Sequence, residues 1–201
     1  MRSRRELRRR SVFLNVPFDK SYEPLFVALI GALVALGRIP RCVLEIPEMG
    51  AGRLFRILQI IRACSVSIHD LSRVGLPVRF NMPFELGIAF TLSRLEKNHD
   101  FVMLESQRYR LTRTLSDANG IDPGIHNATV KGVISCILSN LGKPQGNLPP
   151  VLVSRVYRGF WKTIPVFKRN HGRSTIYSRA IFSELVEGAI RLAEKEGLVV
   201  E

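Results

Sequence analysis

The chain has 201 residues, 46% of them apolar, and a net charge of +13. That size suits one α/β domain with an appendage, and the apolar share excludes a chain too polar to build a core. The longest apolar run, Leu25 to Gly37, covers about 13 residues, too few to span a bilayer, and reads as a buried helix.

Residues 1–10 hold six arginines against Glu6 and read as a basic, disordered arm. Residues 11–142 hold 14 basic and 11 acidic side chains, and residues 143–201 hold 10 and 5, so the charge sits at the ends. Basic ends suit nucleic acid, an acidic partner or an anionic surface, and equally a solvated face; nucleic acid is not the favoured reading. The Arg-rich start runs into Ser11–Val16, too short for a secretory core. Cys42, Cys64 and Cys136 show no pairing pattern, which reads as reduced thiols in a cytoplasmic protein. The four histidines show no metal-ligand spacing.

In chain order, residues 11–16 read as a buried strand, and Asp19 or Ser21 as the cap of a helix from Tyr22 to Leu36, stopped by Gly37. Ile39–Ile46 reads as a second strand, Arg53–Ala63 as an amphipathic helix, and Ser65–His69 as a third strand. Met82–Leu95 reads as a helix and Phe101–Glu105 as a fourth strand. Residues 120–124 read as a turn and His126–Leu141 as a helix. Residues 142–150, rich in Gly and Pro, mark the boundary of a basic C-terminal extension, residues 143–201, with helices at about Val151–Phe167 and Ser174–Glu196. Alternating strands and helices imply a parallel sheet covered on both faces. Neither a Gly-x-Gly-x-x-Gly fingerprint nor a phosphate-loop Lys motif is present.

Ligands of parallel sheets bind at the carboxyl ends of the strands. This chain puts Asn15 and Asp19 after its first strand, Glu45, Glu48 and the Gly50-Ala51-Gly52 loop after its second, and His69, Asp70 and Ser72 after its third. Arg79, Asn81 and Met82 lead into the next helix, so all of these could line one cleft. Asn81 suits an N-cap, and Glu85 then falls in the first helical turn, among Phe84, Leu86 and Ile88. The helix dipole favours its charge and apolar burial opposes it. Such a carboxylate can stabilise an anomeric carbon as a glycosidic bond breaks; otherwise it merely complements the dipole. Asp70 either caps a turn or bonds a ribose hydroxyl. Asn15 either holds its loop or contacts a ribose, and Arg79 pairs with a phosphate or with a surface acid.

The segment Asn81-Met82-Pro83-Phe84-Glu85-Leu86-Gly87-Ile88-Ala89, placed after an acid-ended third strand, resembles the nucleoside 2-deoxyribosyltransferases and the related TIR domains. The resemblance covers about residues 11–142. It implies a flavodoxin-like three-layer sandwich, with Glu85 as the catalytic carboxylate and Asp70 as its supporting acid. It further implies a hydrolase that releases nicotinamide from NAD, acting as an assembly-activated effector of the defence type. A deoxyribosyltransferase, a nucleoside monophosphate glycosidase and a non-catalytic nucleotide-sensing scaffold are the alternatives. NAD would be consumed as substrate, so no cofactor and no metal are expected. Homo-oligomers or a partner protein would engage through residues 143–201, with no membrane involved. Met82-Pro83 stands where the transferases usually carry Gly-Thr.

Overall fold

In the computed structural model, described over residues 3–46, 52–73, 80–115, 120–142 and 148–198, five parallel strands form one sheet. They are β1 (Ser11–Asn15), β2 (Ile39–Cys42), β3 (Val66–Asp70), β4 (Asp100–Glu105) and β5 (Gly124–Ile125), in the order β2-β1-β3-β4-β5. The architecture is the expected flavodoxin-like α/β sandwich with a C-terminal helical extension. Its order reverses between β1 and β3, the place where doubly wound folds open a crevice. Asn15 pairs in register with His69 across that boundary.

Alternation along the strands assigns the two faces. Val12, Leu14, Val66, Ile68 and Leu104 join a large core with α2 (Glu23–Ala35) and α6 (Val130–Leu141). Phe13 turns the other way, onto Ile57 and Ile61 of α3 (Arg53–Arg62) and Ala89 of α4 (Asn81–Leu95).

The apolar run read as a buried helix is α2. All of its residues but Pro24 are buried, because the C-terminal helices cover the side that the sheet leaves open. Those helices are α7 (Pro150–Trp161), α8 (Ile164–Asn170) and α9 (Arg179–Lys195). Buried Val153, Val156, Phe160, Ile181, Leu185 and Ala189 belong to the same core as α2. Lys168 Nζ donates to the buried carboxylate of Glu23 at 2.6 Å, and Ile176 N–H reaches its other oxygen at 3.2 Å. The apolar sides of the extension are thus committed to α2. At the far end of α2, Gly37 takes a φ of 70° and lets Arg38 N–H close back on Leu33 O at 2.9 Å.

Several boundaries differ from the sequence reading. Residues 1–10 are not a disordered arm over their described part: Arg4–Arg10 is helix α1, with Ser3 accepting from Glu6 N–H at 3.2 Å. Arg8 pairs with Glu96 at 2.8 Å, and Arg10 Nε donates to Gly37 O at 2.8 Å, so partners in the fold order the arginines. Strand β2 stops at Cys42, where Glu45 accepts Cys42 N–H at 3.0 Å and folds residues 43–45 into a 3₁₀ turn. The expected turn at 120–124 ends in β5, a two-residue strand too short to show a period. The long helix expected over 151–167 breaks into α7 and α8 ahead of Pro165, which has no N–H to continue the ladder. The cysteines are free and buried, and no described helix is long and apolar enough to cross a membrane.

Candidate active site

The residues expected to line one cleft fall on both faces of the sheet. His69 and Asp70 are consecutive in β3, so their side chains point to opposite sides.

Asp70 faces α2 and α6 and is fully buried. One oxygen accepts from Ser72 N–H at 2.9 Å and from the Ser72 hydroxyl; the other accepts from the Tyr22 hydroxyl and lies 3.1 Å from His126 Nε2, which also stands 2.9 Å from Ser72 Oγ. His126 Nδ1 accepts from Ala128 N–H at 3.1 Å, which leaves Nε2 as the protonated nitrogen. Ser72 O in turn accepts from Arg110 Nη2 at 2.8 Å, and Arg110 pairs with buried Glu105. Burial works against the Asp70 charge, but the bonds from His126, Ser72 and Tyr22 outweigh it and hold the carboxyl below its ordinary range. Burial, and after it the Asp70 charge, pushes the Tyr22 phenol well above its usual value. Ser72, His126 and Asp70 resemble a nucleophilic triad in composition only. Asp70 and Ser72 meet the same imidazole nitrogen, whereas a relay needs the base between them. With Ser72, Tyr22 and His126 around its two oxygens and no exposed surface, Asp70 is closed to a ribose hydroxyl. The expectation of a catalytic Asp70 thus gives way to an anchor that ties β3 to the start of α2 and the β5–α6 loop.

Asp19 stands beside this network. It accepts Tyr22 N–H at 3.0 Å, capping a 3₁₀ turn over residues 20–22, and pairs through both oxygens with Arg73 at 2.8 and 3.0 Å. The hydrogen bond from the Arg73 guanidinium is the main cause that takes its pKa down to about 2. Asp19 therefore fastens the β1–α2 loop to the segment after β3. Tyr177 hydroxyl donates to Asp19 O at 2.9 Å and adds the C-terminal extension to the same junction.

Glu85 lies on the other face. Helix α4 turns Met82, Glu85, Leu86 and Ala89 inward at helical spacing, and all four are buried. Phe84 is 55% exposed, so the apolar neighbours of Glu85 come from the inward stripe and not from Phe84. Ala89 packs on the sheet, while Gly87 faces open space. Asn81 is the first helical residue and not the N-cap; that place belongs to Phe80 in αR conformation, with no side-chain cap bond. The Asn81 side chain instead favours the charged form of Glu85. Burial raises the Glu85 carboxyl to about 7, against the hydrogen bond from Asn81 and the charge of Arg53 at the start of α3. No hydrogen bond or ion pair among the described residues joins Glu85 to Asp70.

Asn15 connects β1 to this helix. Its Nδ2 donates to Met82 O at 2.9 Å and lies 3.0 Å from His69 Nδ1. His69 is fully buried, and burial lowers its pKa to about 3, so the ring is neutral. Asn15, His69 and the Met82 carbonyl therefore meet at the carboxyl edge where the strand order reverses, and Glu85 follows Met82 by three residues on the inward side of α4. Arg79, expected as a substrate contact, lies outside the described residues, as do Glu48 and residues 50 and 51 of the Gly50-Ala51-Gly52 loop.

No protein-family model matches the chain, and no curated protein or solved structure matches it. Among the described residues, no group of three or more His, Cys, Asp and Glu side chains could hold a metal ion. The sequence reading missed Tyr22, Arg73, Arg110 and His126 as partners of the predicted residues. Tyr22 and His126 lie 48 and 56 residues from Asp70, and no local spacing ties them to it.

Proposed function

We propose that this protein hydrolyses the N-glycosidic bond of NAD, with Glu85 as the acting carboxylate. The observation that carries the reading is a buried acid on the first turn of α4, beside the β1/β3 crevice, with its pKa near 7. A group so poised spends its time near neutrality between the neutral and charged forms, and its charge has few competing partners. The resemblance of the Asn81–Ala89 segment to TIR domains and deoxyribosyltransferases supports the same assignment.

In the proposed step the bond between ribose C1′ and the pyridinium nitrogen breaks. Its electron pair stays with nitrogen, so nicotinamide leaves neutral and C1′ becomes oxocarbenium-like. Ionised Glu85 stabilises that charge. Water adds to C1′ and loses one proton, giving ADP-ribose, nicotinamide and a proton. The helix dipole and Arg53 favour the ionised acid; the apolar stripe around it keeps its charge from being solvated. NAD is the substrate, and the step draws on neither a cofactor nor a metal. Asp70, Asp19 and Ser72 contribute by fixing the ends of β1 and β3.

Chromatography of NAD incubated with the wild type and with Glu85→Gln tests this, at high protein concentration so that activation by assembly is not missed. Nicotinamide and ADP-ribose are expected from the wild type only. Undiminished release by a folded Glu85→Gln variant overturns the assignment.

A further inference from the structure

We propose that His69 is a positioning residue that locks the Asn15 carboxamide with its oxygen free, and that this oxygen selects a substrate sugar bearing a hydroxyl beside the reacting carbon, a ribose and not a 2′-deoxyribose. This rests on the reading of Glu85 given above and names the sugar that the same site accepts.

The orientation of the amide follows from its neighbours. Met82 O can only accept, so the Asn15 atom 2.9 Å from it is the NH₂ group. The same nitrogen lies 3.0 Å from His69 Nδ1, which must then be an acceptor. A neutral imidazole that accepts at Nδ1 carries its proton on Nε2. His69 Nε2 is sealed from solvent and has no partner among the described residues. A buried donor left without an acceptor is rare in folded proteins. An apolar residue at position 69 would fill the layer without it, so the orphan proton marks a demand on the other nitrogen. That demand is the second N–H of Asn15. With both N–H groups committed, Asn15 Oδ1 cannot swap places with Nδ2.

The freed oxygen accepts no hydrogen bond among the described residues and, unlike His69 Nε2, is not an orphan sealed in the core. It is an acceptor at the end of β1, beside the point where the strand order reverses, and it asks its ligand for a donor. Its place relative to Glu85 follows from Met82, whose carbonyl holds the amide and which precedes Glu85 by three residues in α4. Met82 and Glu85 are three residues apart on one helix face, about 5–6 Å between Cβ atoms. If Glu85 addresses C1′, a group one helical turn away meets the substituent on the adjacent carbon. In ribose that substituent is the 2′-hydroxyl, which donates; in deoxyribose it is a hydrogen, and Asn15 Oδ1 stays unpaired. A site built to bond a hydroxyl discriminates strongly against the analogue without one.

The test compares kcat/KM of the full chain for NAD and for its analogue lacking the 2′-hydroxyl on the nicotinamide ribose. The intrinsic reactivity of the two sugars is common to every variant, so the ribo/deoxy ratio is compared between variants, and partial misfolding cancels in it. His69→Leu is expected to lower the ratio about tenfold or more. His69→Gln, whose side-chain oxygen accepts from Asn15, is expected to restore it, which a purely structural role would not require. Asn15→Ser, a smaller change, is expected to lower the ratio should leucine at position 69 not be tolerated. A ratio unchanged in His69→Leu and Asn15→Ser, with turnover still dependent on Glu85, overturns this inference and leaves the function standing. Turnover that survives Glu85→Gln, or a wild type that releases nicotinamide from neither compound, overturns both.

Discussion

Two buried carboxylates stand at the carboxyl edge of the same sheet, on opposite faces, and their environments are reversed. Asp70 is enclosed by Ser72, Tyr22 and His126, and its pKa falls despite complete burial. Glu85 has a bond from Asn81 and the distant charge of Arg53, and burial lifts its pKa to about 7. Saturation of a buried charge stabilises a fold, whereas partial satisfaction costs stability and leaves the charge able to act on something else. The difference separates anchor from candidate catalyst more sharply than residue type, since the two acids look alike in the sequence.

The largest expected effect breaks the anchor. Asp70→Ala takes the acceptor from the Tyr22 hydroxyl and the Ser72 N–H in the core, leaves the Ser72 hydroxyl and His126 Nε2 with only each other, and should lower stability by about 3–5 kcal/mol in denaturant unfolding. A loss below about 1 kcal/mol would mean that the network is not what holds β3 to α2. Gly132→Ala acts on the same face from behind. A Cβ at position 132 would lie 2.0 Å from His126 O, so the β5–α6 loop must move. A loss of roughly 1–3 kcal/mol is expected, the range of an overpacked site, read by the same measurement.

Glu85→Gln should go the other way. The folded-state pKa of Glu85 lies above its ordinary 4.5. The acid is protonated in both states at low pH, and its burial begins to cost stability as pH rises past the unfolded value. That cost grows through the window between about 4.5 and 7 and is complete above it. At pH 8 the variant should therefore be more stable than the wild type, by about 1–3 kcal/mol on the scale of that shift. At pH 4 the gain should vanish. A destabilised Glu85→Gln at pH 8 would place Glu85 with the anchors. Asp70 has the opposite sign: its lowered pKa gives stability above the ordinary carboxylate range, which is lost as pH falls through the folded value.

The smallest effect sharpens the comparison on activity. If ionised Glu85 acts on NAD, the rate should rise with pH through about 7. Asn81→Ala removes the bond that favours the charged form and should move that rise to higher pH by less than about one unit, with little change in the plateau. An unshifted profile would detach Asn81 from the acid.

Much of this was legible in the chain itself. The period of the strands and helices, the stop at Gly37 and the buried character of Leu25–Ala35 are local properties, and they yield a parallel α/β sheet with Glu85 on the first turn of α4. They also place a break near residues 142–150. What local pattern could not supply is which helix covers which face. His69 and Asp70 are adjacent in sequence and point apart, but only the reversal of strand order between β1 and β3 puts α2 and α6 over one and α4 over the other. That decision gave Asp70 its partners from residues 22 and 126, and gave Glu85 a neighbourhood with few. The arginines of residues 4–10 and the C-terminal helices followed the same rule, since each found its place through contacts distant in the chain. Sequence period sets which residues face inward, because it reflects backbone geometry; tertiary structure alone decides what they face, because those partners come together only when the sheet is assembled.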